Sequence, residues 1–124
     1  MSLATSSQED LSVCSLFYTY IAEHQTFVVA SSVETRHIQD IKKSARVAGN
    51  ILLETQKIGE IKGVQFKGVF VELNDNTLKM AYFKKFPYAL ALLPTLWQIK
   101  VDYFKMTDNR LGFGKKLIWQ DSSL

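Results

Sequence analysis

A two-residue alternation of apolar and polar side chains, clearest between Leu96 and Met106, limits the possible folds more than any other feature of the chain. In this segment one side of a strand is predicted to carry Trp97, Ile99, Val101 and Tyr103. Further β-like segments recur at 3–6, 11–20, 26–30, 45–54, 60–73 and 115–120. Turn signals of a few residues separate most of these segments, so we expect hairpins and a mainly antiparallel sheet.

Two helical segments interrupt the strands. The first is predicted over 36–43, where Thr35 or Ser32 could cap the start of the helix. The second is predicted over 77–86 and is closed by Pro87, and a further short helix is predicted over 88–93. The chain is therefore predicted to be mainly β with short helices, and a small barrel with helices over its openings fits this order.

Composition narrows the class of protein. The 124 residues, 47% of them hydrophobic and 22% charged, predict one globular domain over 1–124, in which residues 1–3 are as consistent with an expression remnant as with native chain. The longest apolar run, Ala89 to Pro94, is too short to cross a bilayer, and no secretory signal pattern is visible. The single cysteine, Cys14, excludes a disulfide framework. We therefore expect a cytoplasmic protein without a membrane partner.

The net charge of +3 is too small to require a nucleic-acid partner, and it suits an anionic small molecule equally well. Residues 107–116 form the most basic loop, in which Phe113 lies between two glycines and Lys115 and Lys116 follow. Basic residues beside exposed aromatic rings can bind single-stranded nucleic acid. The near-neutral charge balance of the whole chain argues against that function.

Residues 31–37 are the first candidate binding segment, because small hydroxyl residues end a strand there and a cation begins a helix. The candidate ligands are Ser31, Ser32, Thr35, Arg36 and His37. Exposed N–H groups at a helix start, hydroxyl donors and a guanidinium together suit a phosphate. The alternative is an ordinary capping sequence with a solvated arginine, in which His37 covers the core on the face shared with Val33 and Ile41.

The second candidate segment is 62–68, in which Gly63 and Gly68 interrupt a predicted strand. Glycines inside a strand indicate bends or a close approach of another backbone. Gln65 carries both a donor and an acceptor and can therefore read the edge of a heterocycle. The alternative is a β-bulge with a solvent-facing glutamine.

The order of these segments resembles that of the pyridoxamine-phosphate-oxidase-like split-barrel flavoproteins. The segments 63–68, 107–109 and 111–116, with Phe86-Pro87 and Trp119, resemble more narrowly a small uncharacterised bacterial branch of that family. The resemblance covers nearly the whole chain from about Leu3. It implies a six-stranded antiparallel split barrel and a homodimer that binds FMN at the subunit interface and a small-molecule substrate.

The resemblance also implies roles for individual residues. Thr35, Arg36 and His37, with Ser31 and Ser32 before them, fall where the family holds the flavin phosphate, and His37 stands where many members have lysine. Gln65 would hydrogen-bond the flavin ring, and Lys116 would contribute from the 112–116 loop. Relatives usually carry a helix before the first strand, whereas this sequence opens almost in that strand. No specific arginine–histidine pair for pyridoxal phosphate is matched, so we do not expect true pyridoxamine phosphate oxidase activity.

Two functions remain open from the sequence. The first is a flavin-dependent oxidoreductase, in which the flavin performs the electron transfer while the protein positions the flavin and sets the electrostatic field around it. The second is a binding protein without redox turnover that uses the same cleft for haem or another anionic ligand. In that case His24 or His37 would be the axial ligand of the haem iron. Neither histidine lies in a zinc-binding pattern, so no metal site is predicted.

Overall fold

Eight strands form one antiparallel sheet in the computed structural model, which describes residues 1–121. The strands are β1 (Ser2–Ser7), β2 (Asp10–Ser15), β3 (Tyr18–Ile21), β4 (Thr26–Ala30), β5 (Arg46–Leu52), β6 (Lys62–Glu72), β7 (Leu96–Asp108) and β8 (Lys116–Gln120). The two α-helices are α1 (Arg36–Lys43) and α2 (Asn76–Lys85), and short 3-10 helices cover Ala22–His24, Ile58–Glu60, Pro87–Leu92 and Asn109–Leu111. Of the helices in the described part of the chain, none is long and apolar enough to cross a membrane.

The strands lie in the order β2-β1-β5-β6-β7-β4-β3, and β8 pairs with the far half of β7. The predicted class, a mainly β antiparallel split barrel with short helices, is confirmed. The described residues contain eight strands rather than six, partly because the predicted strand over 11–20 is two strands. The chain breaks at Leu16 and Phe17, so that β2 pairs with β1 while β3 pairs with β4 at the other end of the order.

The barrel interior is filled by aromatic and branched side chains from most of the strands. Its fully or almost fully buried members include Leu3, Phe27, Val29, Phe66, Phe70 and Ile99. Helix α1 adds Ile38 and Ile41 to this cluster. A second cluster, built on Val28, Leu73 and Leu96, packs against Leu78 and Tyr82 of α2. The two helices thus cover separate parts of one sheet.

A β-bulge between β6 and β7 changes which side chains of β7 face outward. Lys67 lies opposite Tyr103 and Gly68 lies opposite Val101, so Asp102 is the extra residue. Tyr103 was predicted to lie on the same side of the strand as Val101, and this is wrong because the bulge shifts the alternation by one residue. Phe104 packs against the core instead. The predicted close approach at Gly68 is confirmed, since a Cβ there would lie 2.4 Å from the carbonyl oxygen of Lys100.

Candidate functional site

The corner between β4 and α1 contains five of the seven predicted ligand residues. Ser31 is buried, its N–H donates to the carbonyl of Thr95 (3.1 Å), and its own carbonyl accepts from Trp97 Nε1 (3.0 Å). The Ser31 hydroxyl therefore has a fixed position, 2.7 Å from His37 Nε2. Ser32 is exposed and lines a small surface pocket with Ser31 and the loop before β7.

Thr35 is the N-cap residue of α1, as predicted, but its side chain makes no capping hydrogen bond. Its hydroxyl donates to the carbonyl of Ser32 (2.8 Å) and lies 3.4 Å from His37 Nε2. The first intrahelical bond is donated by Gln39 to the Thr35 carbonyl. The N–H groups of the first turn are therefore left without an intrahelical acceptor, as at any helix start.

His37 is half-buried, and its ring nitrogen Nε2 is the point on which the Ser31 and Thr35 hydroxyls converge. Burial lowers the pKa of the imidazole below its ordinary value, and the nearby charge of Asp40 opposes this only in part. His37 is therefore mainly neutral at pH 7. The cluster of Ser31, Thr35 and His37 supplies hydroxyl and imidazole groups but little positive charge.

Arg36 points away from this hydroxyl cluster and is held by two carboxylates. Its Nη2 lies 2.6 Å from Asp10 at the start of β2, and its Nε lies 3.1 Å from Asp40 on α1. Asp40 is buried and also accepts from the Thr5 hydroxyl (2.9 Å). Burial would raise the pKa of Asp40, but the hydrogen bonds from Thr5 and Arg36 outweigh it and lower the pKa. The guanidinium thus anchors α1 although its side chain is 55% exposed, so Arg36 is both solvated, as in the alternative interpretation, and held by two carboxylates.

Asp40 and Asp10 are the residues of this corner that sequence reasoning missed. The spacing of Arg36 and Asp40, four residues apart on one helix face, could have indicated their pairing. Nothing local could have indicated Asp10, because it reaches Arg36 only after the β1–β2 hairpin folds against α1.

Gln65 lies in a different place, on the outer face of the sheet. It lines an open cleft of about 480 Å³ that crosses β1, β5, β6 and β7. The exposed faces of these strands contribute Ser2, Ala4, Ala48, Asn50, Gln65, Lys67, Tyr103 and Lys105. No residue of the 31–37 corner lines this cleft. We call the surface around it the Gln65 face.

Lys116, the remaining predicted ligand residue, belongs to the Gln65 face by register. It pairs with Thr107 of β7, which lies two residues beyond Lys105 on the same side of the strand. The loop before it is held by Asp108, which accepts from the backbone N–H and guanidinium of Arg110. The structure thus separates the seven predicted residues into two groups, five at the corner and two on the Gln65 face.

Comparison with known proteins decides the family. The UPF0306 protein plu4501 of Photorhabdus laumondii is 35% identical over 123 residues, which cover 97% of this chain and 86% of the relative. The chain belongs to the UPF0306 family. A second member, YhbP of Salmonella arizonae, is 40% identical over 111 residues, covering 86% of this chain and 76% of its own. The search of protein-family models finds no match.

Several solved structures have a fold similar to that of this UPF0306 member. A haem-binding protein from Mycobacterium smegmatis matches 96% of this chain and 51% of its own length, with a TM-score of 0.78 and 16% identity. HutZ, a haem storage protein from Vibrio cholerae, matches 82% and 80% of the two chains (TM-score 0.69, 15% identity). An FAD-binding protein from Mesorhizobium loti matches 85% and 82% (TM-score 0.68, 18% identity). At such identities the likeness concerns the fold.

Proposed function

We propose that this UPF0306 protein is a homodimer that binds FMN between its subunits. The corner of one subunit would hold the phosphate, and the Gln65 face of the other subunit would meet the flavin ring. The separation of the predicted ligand residues into two groups that share no cleft carries this proposal. Two chains could each supply one of these groups to a single ligand, and a symmetric dimer would then create two such sites.

The corner supplies hydrogen-bond donors that suit the oxygens of a phosphate. The Ser31 hydroxyl, His37 and the N–H groups at the start of α1 can donate to a phosphate oxygen. The Thr35 hydroxyl lies beside them and would donate only after releasing the Ser32 carbonyl. The charge of the corner suits a phosphate less well, because Asp10 and Asp40 neutralise the positive charge of Arg36. Protonation of His37 would supply the missing positive charge, since a nearby phosphate favours the imidazolium. The Gln65 face adds Lys116 for the same ligand.

A bound flavin would supply the hydride or electron transfer of an oxidoreductase. The residues of this chain would bind and orient it. Ser31, fixed through its backbone by Thr95 and Trp97, would direct its hydroxyl toward the phosphate, and Gln65 would offer a donor and an acceptor to the ring edge. The small-molecule substrate would lie beside the ring on the Gln65 face.

FMN binding is expected to strengthen as the pH falls from about 8 to 6.5, by up to about tenfold, because binding adds a proton to His37. The direction follows from the pKa of His37, which burial lowers in the free protein and which a phosphate would raise. Quenching of flavin fluorescence in a titration measures the affinity. His37→Gln should remove the pH dependence, and Ser31→Ala should weaken binding about tenfold.

Two controls accompany this titration. His24→Gln changes an exposed histidine outside the corner and should leave the pH dependence intact. Riboflavin, which lacks the phosphate, should bind without the pH dependence. An FMN affinity that is the same for the wild type and for Ser31→Ala at every pH would contradict the phosphate assignment.

Mixed dimers test whether the site spans two subunits. A Ser31→Ala chain lacks an intact corner, and a Gln65→Ala chain lacks an intact face. If each site uses both subunits, co-expression of the two chains should restore wild-type affinity at about a quarter of the sites in statistically mixed dimers. If each site lies within one subunit, mixing should restore nothing. Size-exclusion chromatography with light scattering first establishes that the chain is dimeric.

Haem is the second candidate ligand, because two solved structures with this fold are named as haem proteins. His37 is the better-placed imidazole, since it is neutral and half-buried whereas His24 is exposed. Its Nε2 is already hydrogen-bonded to the Ser31 hydroxyl, so ligation would have to break that bond or use Nδ1. A Soret shift with haemin that His37→Gln abolishes would favour haem over FMN at the corner.

A further inference from the structure

We infer that Gln65, Lys67, Tyr103 and Lys105 form a binding site for a planar, conjugated carboxylate. This inference rests on the proposed function in one respect, because it names the class of substrate that would lie beside the flavin ring. The site itself uses residues of the Gln65 face alone, so its test needs no flavin.

The pairing of β6 with β7 places these four side chains at the corners of one small square. Lys67 lies directly opposite Tyr103, and Gln65 lies directly opposite Lys105. The two lysines therefore occupy one diagonal of the square, and diagonal neighbours on a sheet face are about 7–8 Å apart between Cα atoms. The aromatic ring and the amide occupy the other diagonal. An anion bound over the square would contact both ammonium groups.

The cleft continues from the square across the neighbouring strands β5 and β1, because the residues there have small side chains. Ala48 of β5 lies opposite Lys67, and Ala4 of β1 lies opposite Ala48. These short side chains leave the cleft open above them, while Asn50 and Ser2 form the parallel row beside Gln65. A flat molecule can therefore lie across the strands, whereas a bulky one would meet the lysine and tyrosine side chains.

The charge of the cleft has one sign. Its lining contains two lysines and no carboxylate. Within the described residues neither lysine forms an ion pair, and Lys67 Nζ instead lies 5.3 Å from the centre of the Tyr103 ring. Two unpaired ammonium groups beside an aromatic ring and an amide attract an anion that also carries a conjugated surface.

The β-bulge at Asp102 is the structural reason that this site exists. Without the extra residue, Tyr103 and Lys105 would continue on the side of Val101 and face the barrel interior. The bulge turns both residues outward, and Asp102 itself is held by the guanidinium of Arg46. Bulges that re-aim side chains are frequent beside binding sites. Because of this bulge, Tyr103 and Lys105 of β7 lie on the same face as Lys67 and Gln65 of β6 and complete the square.

Isothermal titration with naphthalene-2,6-dicarboxylate, a planar conjugated dianion, tests the assignment. We expect the wild type to bind it, and Lys67→Gln and Lys105→Gln each to weaken binding about three- to fivefold. Lys100→Gln is the matched control, because Lys100 is an exposed lysine of β7 that does not line the cleft. None of these three lysines is buried, so circular dichroism should show unchanged folding for all three variants.

A neutral ligand, a comparison with FMN and one further variant make the test decisive. The neutral diamide of the same ring should bind much more weakly. Equal binding of the diamide would mean that the cleft binds the ring only by apolar contact, and it would overturn the inference. No binding of the dicarboxylate, or no effect of the two lysine changes, would also overturn it. His24→Gln, which changes an exposed residue outside both the corner and the cleft, should bind the probe as the wild type does. A protein that binds the probe but not FMN would refute the proposed function while supporting this site.

Discussion

Phe66→Ala is expected to destabilise the protein by about 4 kcal/mol, a large part of the 5–15 kcal/mol that holds a typical domain together. Phe66 is 1% exposed, and its ring packs 4.8 Å from that of Phe27 in the barrel interior. The ring also fills the space above Gly49, where a Cβ would lie 2.4 Å from it. Truncation would leave a cavity lined by rigid strands that cannot close around it.

Urea unfolding measures this loss as a lower midpoint with an unchanged slope. Phe113→Ala is the matched control, because Phe113 is 86% exposed and should lose only a few tenths of a kcal/mol. Because Phe66 lies between Gln65 and Lys67 on β6, the folded fraction of Phe66→Ala should also bind ligands less well at the Gln65 face. Equal midpoints for the two variants would show that the barrel interior is not packed as described.

Gly68→Ala is expected to cost about 3 kcal/mol for a different reason, the crowding of backbone against backbone. The added Cβ would lie 2.4 Å from the carbonyl oxygen of Lys100 and 3.0 Å from its carbon. Neither atom belongs to a side chain that can rotate away, so β6 and β7 would have to separate at the bulge. The variant should therefore lose ligand binding at the Gln65 face together with stability.

Gly59→Ala provides the control for this second variant. Gly59 lies in the 3-10 turn before β6, and an added Cβ there meets nothing within 4 Å. Its stability should equal that of the wild type or exceed it slightly, since alanine restricts the unfolded chain. If Gly68→Ala were as stable as Gly59→Ala, the bulge would not depend on glycine.

The sequence predicted correctly the bounds of those elements that begin and end at turn or hydroxyl residues. The strand at 26–30 and the helix at 36–43 have the predicted bounds, because a polar turn and a hydroxyl-rich segment delimit them. The strand predicted over 11–20 is rich in residues that favour β structure and contains no glycine or proline, so its break at Leu16 and Phe17 has no strong local signal. That break follows from which strands pair, and pairing depends on the whole barrel.

Tyr103 shows why alternation misplaced part of the site. Counting by two assigns it to the side of Val101, but the bulge depends on Gly68 of the paired strand. Arg36 shows the same limit for charge, because its partner Asp10 is distant along the chain and reaches it only in the fold. The hydroxyl cluster of Ser31, Thr35 and His37 was predictable, since its members lie within seven residues.

The two-carboxylate hold on Arg36 has a consequence for altering this protein. Asp10 is an exposed partner, whereas Asp40 is buried and needs the guanidinium to compensate its charge. An Asp10→Asn chain would remove the charge of one partner and leave the Nε of Arg36 on Asp40. The corner could then gain a cation for an incoming anion without loosening the attachment of the helix, so the strength of anion capture and the stability of the barrel can be tuned separately.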